Sequence, residues 1–258
     1  MAYFPLSIDL TDRNCLVVGG GAVAESKIRT LLSFGARIRA VAPEFTAGIL
    51  QLAGEGSGAA QRIPLSGGKG ETAQRIPLSG GESGAAQRLS LALREFREED
   101  LEGAVLAVAA TDRRNVNERL FHLCTERRIP VNVVDRKELC TFYFPSMVRR
   151  EDLVVSVSTG GSSPALAARL RRKLEAAVPE AYGEIGRELG RWRGYVQERV
   201  PDQRERKEIF ERLLDLLERE SGAAEKEERG GPEMETDSRL LLRRSEVDDV
   251  IRAVRARE

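Results

Sequence analysis

The chain has little cysteine, a single histidine and no surplus of either charge. Its three cysteines, Cys15, Cys124 and Cys140, are scattered. They form neither a CxxC metal pattern nor an even disulfide framework, so a reducing cytoplasm is the expected compartment. Each reads as a small buried apolar residue. Lys plus Arg and Asp plus Glu both number 41, and without a basic surplus neither nucleic acid nor an anionic membrane is the expected partner. A small molecule takes their place. No run approaches the ~20 apolar residues that span a bilayer. The opening Met1-Ala2-Tyr3-Phe4-Pro5-Leu6 has no basic leader, which predicts a soluble, unsecreted protein. The lone His122 falls in a helical pattern and reads as structural, so no metal site is assigned.

What the chain does contain is a glycine turn in a telling context. Cys15-Leu16-Val17-Val18 is a short apolar run that breaks into Gly19-Gly20-Gly21 and then into Ala22-Val23-Ala24. Gly-x-Gly-x-x-Ala between a strand and a helix lets backbone N–H groups approach a pyrophosphate at the positive end of the helix dipole. Val23, Ala24, Ile28, Leu31 and Leu32 fall on one helical face, and Gly35 stands where that helix should end. Ala36 to Pro43 reads as a second strand stopped by proline. A dinucleotide held at Gly19 and Gly21 is therefore expected. The acid that receives the ribose hydroxyls should end the second strand, and Pro43 and Glu44 stand there. No arginine follows closely enough to clamp a 2′-phosphate, which favours NAD over NADP.

At 258 residues the chain has room for a substantial core, and one composite unit is the expectation. Between Gly54 and Leu91 it repeats itself, with Ala-Gln-Arg recurring around Gln61, Gln74 and Gln87. This short, Gly- and Ser-rich period reads as duplication of a surface loop, with a third strand surviving only after the last copy, at Leu89 to Leu93. Ala104 to Ala110 is a continuous apolar run of the kind buried on both faces of a parallel sheet. Val116, Leu120, Leu123 and Cys124 mark a helix, and Val131 to Val134 a strand that delivers Asp135 at its carboxyl end. Open parallel sheets bind ligands outside those ends, so Thr111, Asp112 and Asp135 should share a crevice with the glycine turn. Phe142 to Val148 and Leu153 to Ser158 flank a charged turn and read as a β-hairpin. Ser163 then caps a helix that starts at Pro164, whose free N–H groups suit an anion at Ser162 and Ser163. Beyond Pro179 the pattern is helical and charged, with Trp192, Tyr195, Ile209, Phe210, Leu213, Leu214 and Leu217 as expected buried positions. Arg239 to Glu258, with Leu241, Leu242, Val247, Val250, Ile251 and Val254, reads as a docking helix.

In this order, the blocks resemble the precorrin-2 dehydrogenase and sirohydrochlorin ferrochelatase family of siroheme synthesis. The residues that carry the resemblance are Phe4-Pro5-Leu6, Val17 to Ala24, Val41-Ala42-Pro43-Glu44, Ala109-Ala110-Thr111-Asp112, Asn132-Val133-Val134-Asp135, Phe144-Pro145-Ser146 and Ser158 to Ala167. The resemblance implies an α/β fold, with a Rossmann-like parallel sheet domain followed by a small β-hairpin/helix dimerisation domain and a helical C-terminal region. The expected organisation is an NAD-binding domain over 1–141 with the repeat insertion at about 54–88, a dimerisation segment over 142–178, a helical domain over 179–220, and a linker with a terminal helix over 221–258. It further implies a cytoplasmic homodimer that uses NAD to oxidise precorrin-2, a tetrapyrrole, to sirohydrochlorin, with iron insertion added in bifunctional members.

By the same resemblance the dinucleotide falls at Ala22, Val23, Pro43, Glu44 and Thr111, and Asp135 is the aspartate of proton transfer, with Asp112 as a second candidate. The substrate is a polycarboxylate, and Arg113, Arg114, Arg136, Lys137, Arg149 and Arg150 cluster near the crevice loops and hairpin turn. Arg136, Arg149, Ser162 and Ser163 are the expected substrate contacts. Since no methyltransferase-like block follows, a stand-alone form is expected. Two other readings compete: a non-catalytic NAD-binding regulatory module, and a reductase of another small substrate on the same scaffold.

Overall fold

Apolar runs too short for helices become the strands of the first unit. The computed structural model of the chain describes residues 4–54, 88–222 and 240–256, in two units, Met1–Tyr143 and Phe144–Glu258. In the first, β1 (Asn14–Val18), β2 (Arg37–Ala42), β3 (Leu89–Leu93), β4 (Leu106–Ala109) and β5 (Val131–Val133) form one sheet in the order β3-β2-β1-β4-β5, with every pair parallel. Strand order reverses at β1, and a crevice opens at the carboxyl end of such a switch point. Helices α1 (Ala22–Ser33), α2 (Ala47–Leu52) and α3 (Arg114–Glu126) lie between the strands in sequence. Leu106 to Ala109 are all buried, as a parallel strand covered on both faces requires. β3 begins directly after the last repeat copy and pairs with β2 from Ile38↔Leu89 to Ala42↔Leu93. The first two copies fall in residues 55–87, outside the described residues.

Helix α1 ends as its glycine predicts. Gly35 takes φ +78° and donates to the Leu32 carbonyl at 3.0 Å, while the Ala36 N–H reaches Leu31 at 3.2 Å; this paired closure needs a left-handed residue. The buried stripe of α1 runs through Ala24, Ile28, Leu31 and Leu32. Val23 does not join it, being 47% exposed, because it sits in the first turn at the open carboxyl edge of the sheet. Cys15 and Cys124 are buried as expected, and burial pushes their thiols up to about 11 and about 12. Cys140 is only half-buried and its sulfur is hydrogen-bonded, so it is not the apolar filler expected of it.

The second unit opens with an antiparallel hairpin, β6 (Ser146–Arg150) and β7 (Leu153–Val157), turning at Glu151 with φ +52°. Helix α4 (Pro164–Ala177) has Ser163 as N-cap, its hydroxyl accepting the Leu166 N–H at 3.2 Å, and proline at its start. Helices α5 (Ala181–Arg199), α6 (Gln203–Ser221) and α7 (Arg244–Arg255) follow. Gly183 lets α5 close on β6, since a Cβ there would stand 2.9 Å from the Arg150 carbonyl. Ile209, Leu213 and Leu217, one stripe of α6, are fully buried against Ile185, Val196, Val247, Ile251 and Val254. Trp192, Tyr195, Phe210 and Leu214 flank this core partly buried. Residues 223–239, most of the expected linker, lie outside the described residues. Leu242 is buried where the chain returns, whereas Leu241, expected beside it, is 56% exposed because consecutive residues ahead of α7 face opposite ways. Among the described residues no helix is long and apolar enough to cross a membrane.

One buried carboxylate fastens that return. Glu188 Oε1 accepts from Trp192 Nε1 at 3.0 Å, Arg191 Nη2 at 2.5 Å and the buried Leu242 N–H at 2.8 Å. Truncation to alanine strands several donors at once, so Glu188→Ala is expected to lower the stability of the helical unit by about 2–4 kcal/mol in urea denaturation of the full chain. Glu211→Ala, which removes only an exposed pair with Lys207 at 3.6 Å, is expected to cost less than about 1 kcal/mol. Equal losses in the two variants would refute the fastening role of Glu188.

Candidate active site at the carboxyl edge of the sheet

The turn after β1 packs backbone against backbone. Gly19 takes φ +130°, and a Cβ on it would stand 2.6 Å from the Ala110 carbonyl carbon. A Cβ on Gly20 would be driven into the Glu44 carbonyl oxygen and to within 3.0 Å of the Ala42 methyl. Hydrogen bonds draw these segments together: Gly19 N–H to Val41 O at 2.9 Å, Ala110 N–H to Val18 O at 2.8 Å, and Thr46 N–H to Gly20 O at 2.9 Å. Gly21 is different, because a Cβ there would meet nothing within 4 Å. It is the N-cap of α1 and carries no capping side chain. The first helical bond runs from Glu25 N–H to Gly21 O at 3.0 Å, which leaves the N–H groups of Ala22, Val23 and Ala24 ahead of the hydrogen-bonded ladder. An open floor, unclaimed donors and the positive end of a helix together fit a pyrophosphate.

Pro43 and Glu44 are exposed just beyond β2, with the Glu44 main chain resting on Gly20. The loop after β2 and the glycine turn are thus one construction. A second latch holds it. Thr46 caps α2, its hydroxyl accepting the Ile49 N–H at 3.4 Å and donating to Glu25 Oε2 at 2.8 Å. Arg29 and then Thr46 hold the Glu25 carboxyl below the usual carboxylate range. A Cβ on Gly48 would collide with that carboxylate.

Thr111 and Asp135 close the other half of the edge. The Thr111 hydroxyl donates to Asn117 Oδ1 at 2.7 Å and accepts the Arg113 N–H at 3.1 Å, while Asn117 Nδ2 returns to the Thr111 carbonyl at 2.9 Å. Its side chain is therefore engaged in starting α3, and Asp112 beside it is exposed. Asp135 is exposed after β5, in the left-handed region at φ +59°. Its turn is closed by Arg136 N–H to Val133 O at 3.3 Å, and Val134 N–H donates to Ala109 O at 2.9 Å. The Arg136 guanidinium pairs with Glu138 at 2.5 Å and with Glu118 on α3 at 3.6 Å.

Gly19, Gly21, Ala22, Val23, Pro43, Glu44, Thr111, Asp135 and Arg136 thus gather along one edge of the first unit. Arg149, Ser162 and Ser163 belong to the second. There Arg149 donates to the Glu151 carbonyl at 2.7 Å, and Ser162 to the Thr159 carbonyl at 2.6 Å. Sequence reading missed Gly20 as a packing contact and also Thr46 and Asn117. The signals were present: Thr46 precedes a short apolar run in N-cap position, and Asn117 shares the stripe of Leu120 and Cys124 at i, i+3 and i+7, a polar residue where the helix should be apolar.

A parallel sheet that reverses at a glycine turn, with a capless helix start and an acidic loop beside it, defines a Rossmann-like dinucleotide-binding domain. Residues 6–146 match the family model described as "Putative NAD(P)-binding", residues 150–177 match "Sirohaem biosynthesis protein central", and residues 181–235 match "Sirohaem synthase dimerisation region". The chain belongs to the family whose model is described as "Putative NAD(P)-binding", and the two shorter sirohaem models match behind it in this order. It is 38% identical to the siroheme synthase of Thioalkalivibrio sulfidiphilus over 215 residues, covering 83% of this chain and 38% of that protein. It is 31% identical to the siroheme synthase of Nitrosococcus oceani over 249 residues, covering 96% of this chain and 47% of that protein. The chain therefore spans less than half the length of these relatives. A solved structure described as "SirC, precorrin-2 dehydrogenase" shares the fold, with a TM-score of 0.59 at 20% identity, covering 98% of this chain and all of that one.

The three glycines are expected to separate under mutation. Gly21→Ala should keep its melting temperature yet weaken NAD binding in calorimetric titration by about ten-fold or more, because its methyl would fill the open floor and push the pyrophosphate off the N–H groups by the worth of about one charge-assisted hydrogen bond. Gly20→Ala should lower the melting temperature itself. A Gly21→Ala variant that binds NAD as the unmodified chain does would show that this floor is not the pyrophosphate site.

Proposed function

We propose that this chain catalyses the NAD-dependent oxidation of precorrin-2 to sirohydrochlorin, as a cytoplasmic homodimer, with Asp135 as the proton acceptor. The single observation that carries the reading is the placement of the Asp135 turn. β5 lies two strands from β1 in the sheet order, so at ~4.8 Å per strand the carboxylate turn and the glycine turn stand about 10 Å apart along one edge. That is room for a ring between a bound cofactor and a base. The names of the siroheme synthase relatives and the order of the three modules supply the substrate class.

When bound, NAD supplies the hydride acceptor. The N–H groups at the start of α1 hold the pyrophosphate, and Glu44, next to Gly20, receives the ribose hydroxyls. As the macrocycle loses a hydride, the neighbouring proton needs a base on the same face, and the exposed Asp135 carboxylate takes it. Arg136 turns to Glu138 and Glu118 and so leaves that carboxylate open to substrate. Arg149, Ser162 and Ser163 enter this reading as substrate contacts through the sequence reading alone.

Purified chain incubated with precorrin-2 and NAD is expected to yield sirohydrochlorin and NADH in equal amounts, followed by absorbance. Asp135→Asn is expected to lower turnover about 100-fold or more, the usual weight of a general base, with NAD affinity unchanged. NAD binding without turnover in the unmodified chain would favour a regulatory module instead.

A further inference from the structure

The turn that carries Asp135 is gripped at both shoulders by one sulfur atom. Cys140 Sγ lies 3.2 Å from the Val133 carbonyl oxygen and 3.3 Å from that of Arg136, within reach of its S–H. The same sulfur accepts the Val133 N–H at 3.3 Å and a contact from Asn132 Nδ2 at 3.6 Å. Val133 and Arg136 are the first and last residues of the turn, and Asp135 is the left-handed residue between them. Behind the sulfur, buried Asn132 donates to the Phe142 carbonyl at 3.0 Å. Thr141 is tied to Val131 by its N–H to Val131 O at 2.9 Å, by Val131 N–H to Oγ1 at 2.8 Å and by Oγ1 to Val131 O at 3.3 Å. These bonds cover the outer edge of β5 at Val131. Cys140 covers it at Val133, where the Asp135 turn opens, and reaches across to Arg136, where the turn closes.

We infer that Cys140, backed by Asn132, is a positioning residue that fixes the direction of the Asp135 carboxylate. The inference rests on Asp135 being the proton acceptor proposed above. A non-glycine residue in the left-handed region has right-handed alternatives close by in energy, so a few weak bonds at the turn's shoulders decide which conformer is populated. A carboxylate displaced by about 1 Å loses up to ~100-fold in rate. Burial raises the Cys140 thiol above its ordinary pKa, which keeps the proton that the two carbonyls share.

The test uses Cys140→Val, Cys140→Ala and Cys140→Ser in the full chain, alone and combined with Asp135→Asn. Valine and alanine are expected to lower kcat about ten-fold while KM for NAD stays within about two-fold; serine, whose hydroxyl can donate to the same carbonyls, should recover most of the rate. Valine also removes the acceptor of the buried Val133 N–H, so its melting temperature should fall as well; the positioning role is read from the kcat loss at unchanged KM for NAD and from the serine rescue. In the Asp135→Asn background, Cys140→Val should cost nothing further, because two residues acting through one carboxylate are non-additive. Full kcat in Cys140→Val, or losses that multiply in the double variant, would overturn the positioning role and leave the Asp135 reading intact. An Asp135→Asn variant that turns over like the unmodified chain would overturn that reading first.

Discussion

The Glu44 main chain rests directly on Gly20, and the functional edge of the first unit depends on that contact. Only a residue without a side chain lets the loop after β2 settle onto the turn after β1. With Gly19 pressed on Ala110, the ends of β1, β2 and β4 are pinned at one point by main-chain bonds. The start of α1 is then aimed outward, and an acidic loop is set at its shoulder. Two of the three glycines therefore serve folding. The third, Gly21, needs no such freedom for packing, and its open floor is where the proposed dinucleotide would lie.

What periodicity can see was legible. The buried runs at β1 and β4, the Gly35 closure, the third strand after the last repeat copy, the hairpin and the Ser163 cap all follow from apolar spacing or local turn chemistry. The polar tertiary pairs were not. Thr46 meets Glu25 across 21 residues of chain, and Asn117 is buried because the Thr111 carbonyl and hydroxyl need a partner. Neither fact leaves a local trace beyond one polar residue in an unexpected place. Cys140 shows the same limit: composition makes a cysteine a small apolar residue, and only the fold brings two carbonyls to its sulfur.

Charge shows a further gap between pattern and structure. Six cations stand near the crevice loops and the hairpin turn in sequence, which suits a polycarboxylated ligand. In the fold, Arg113 pairs with Glu95, Arg114 with Glu118, Arg136 with Glu138 and Glu118, and Arg150 with Glu180. Four of the six cations thus have acidic partners within the chain.

That pairing is compatible with binding a polyanion because of how weak it is. Glu95 and Glu138 are largely exposed, and exposed ion pairs contribute only about 0–1 kcal/mol each. Exchanging a protein carboxylate for one on a ligand would therefore cost little, since the guanidinium keeps a carboxylate partner throughout. The acids meanwhile hold each paired arginine in place. For Arg136 the consequence is sharper. It adjoins Asp135 in sequence, and an arginine free to fold back would engage the carboxylate proposed as the proton acceptor. Glu118 and Glu138 draw its guanidinium aside, so two acids keep it off a third.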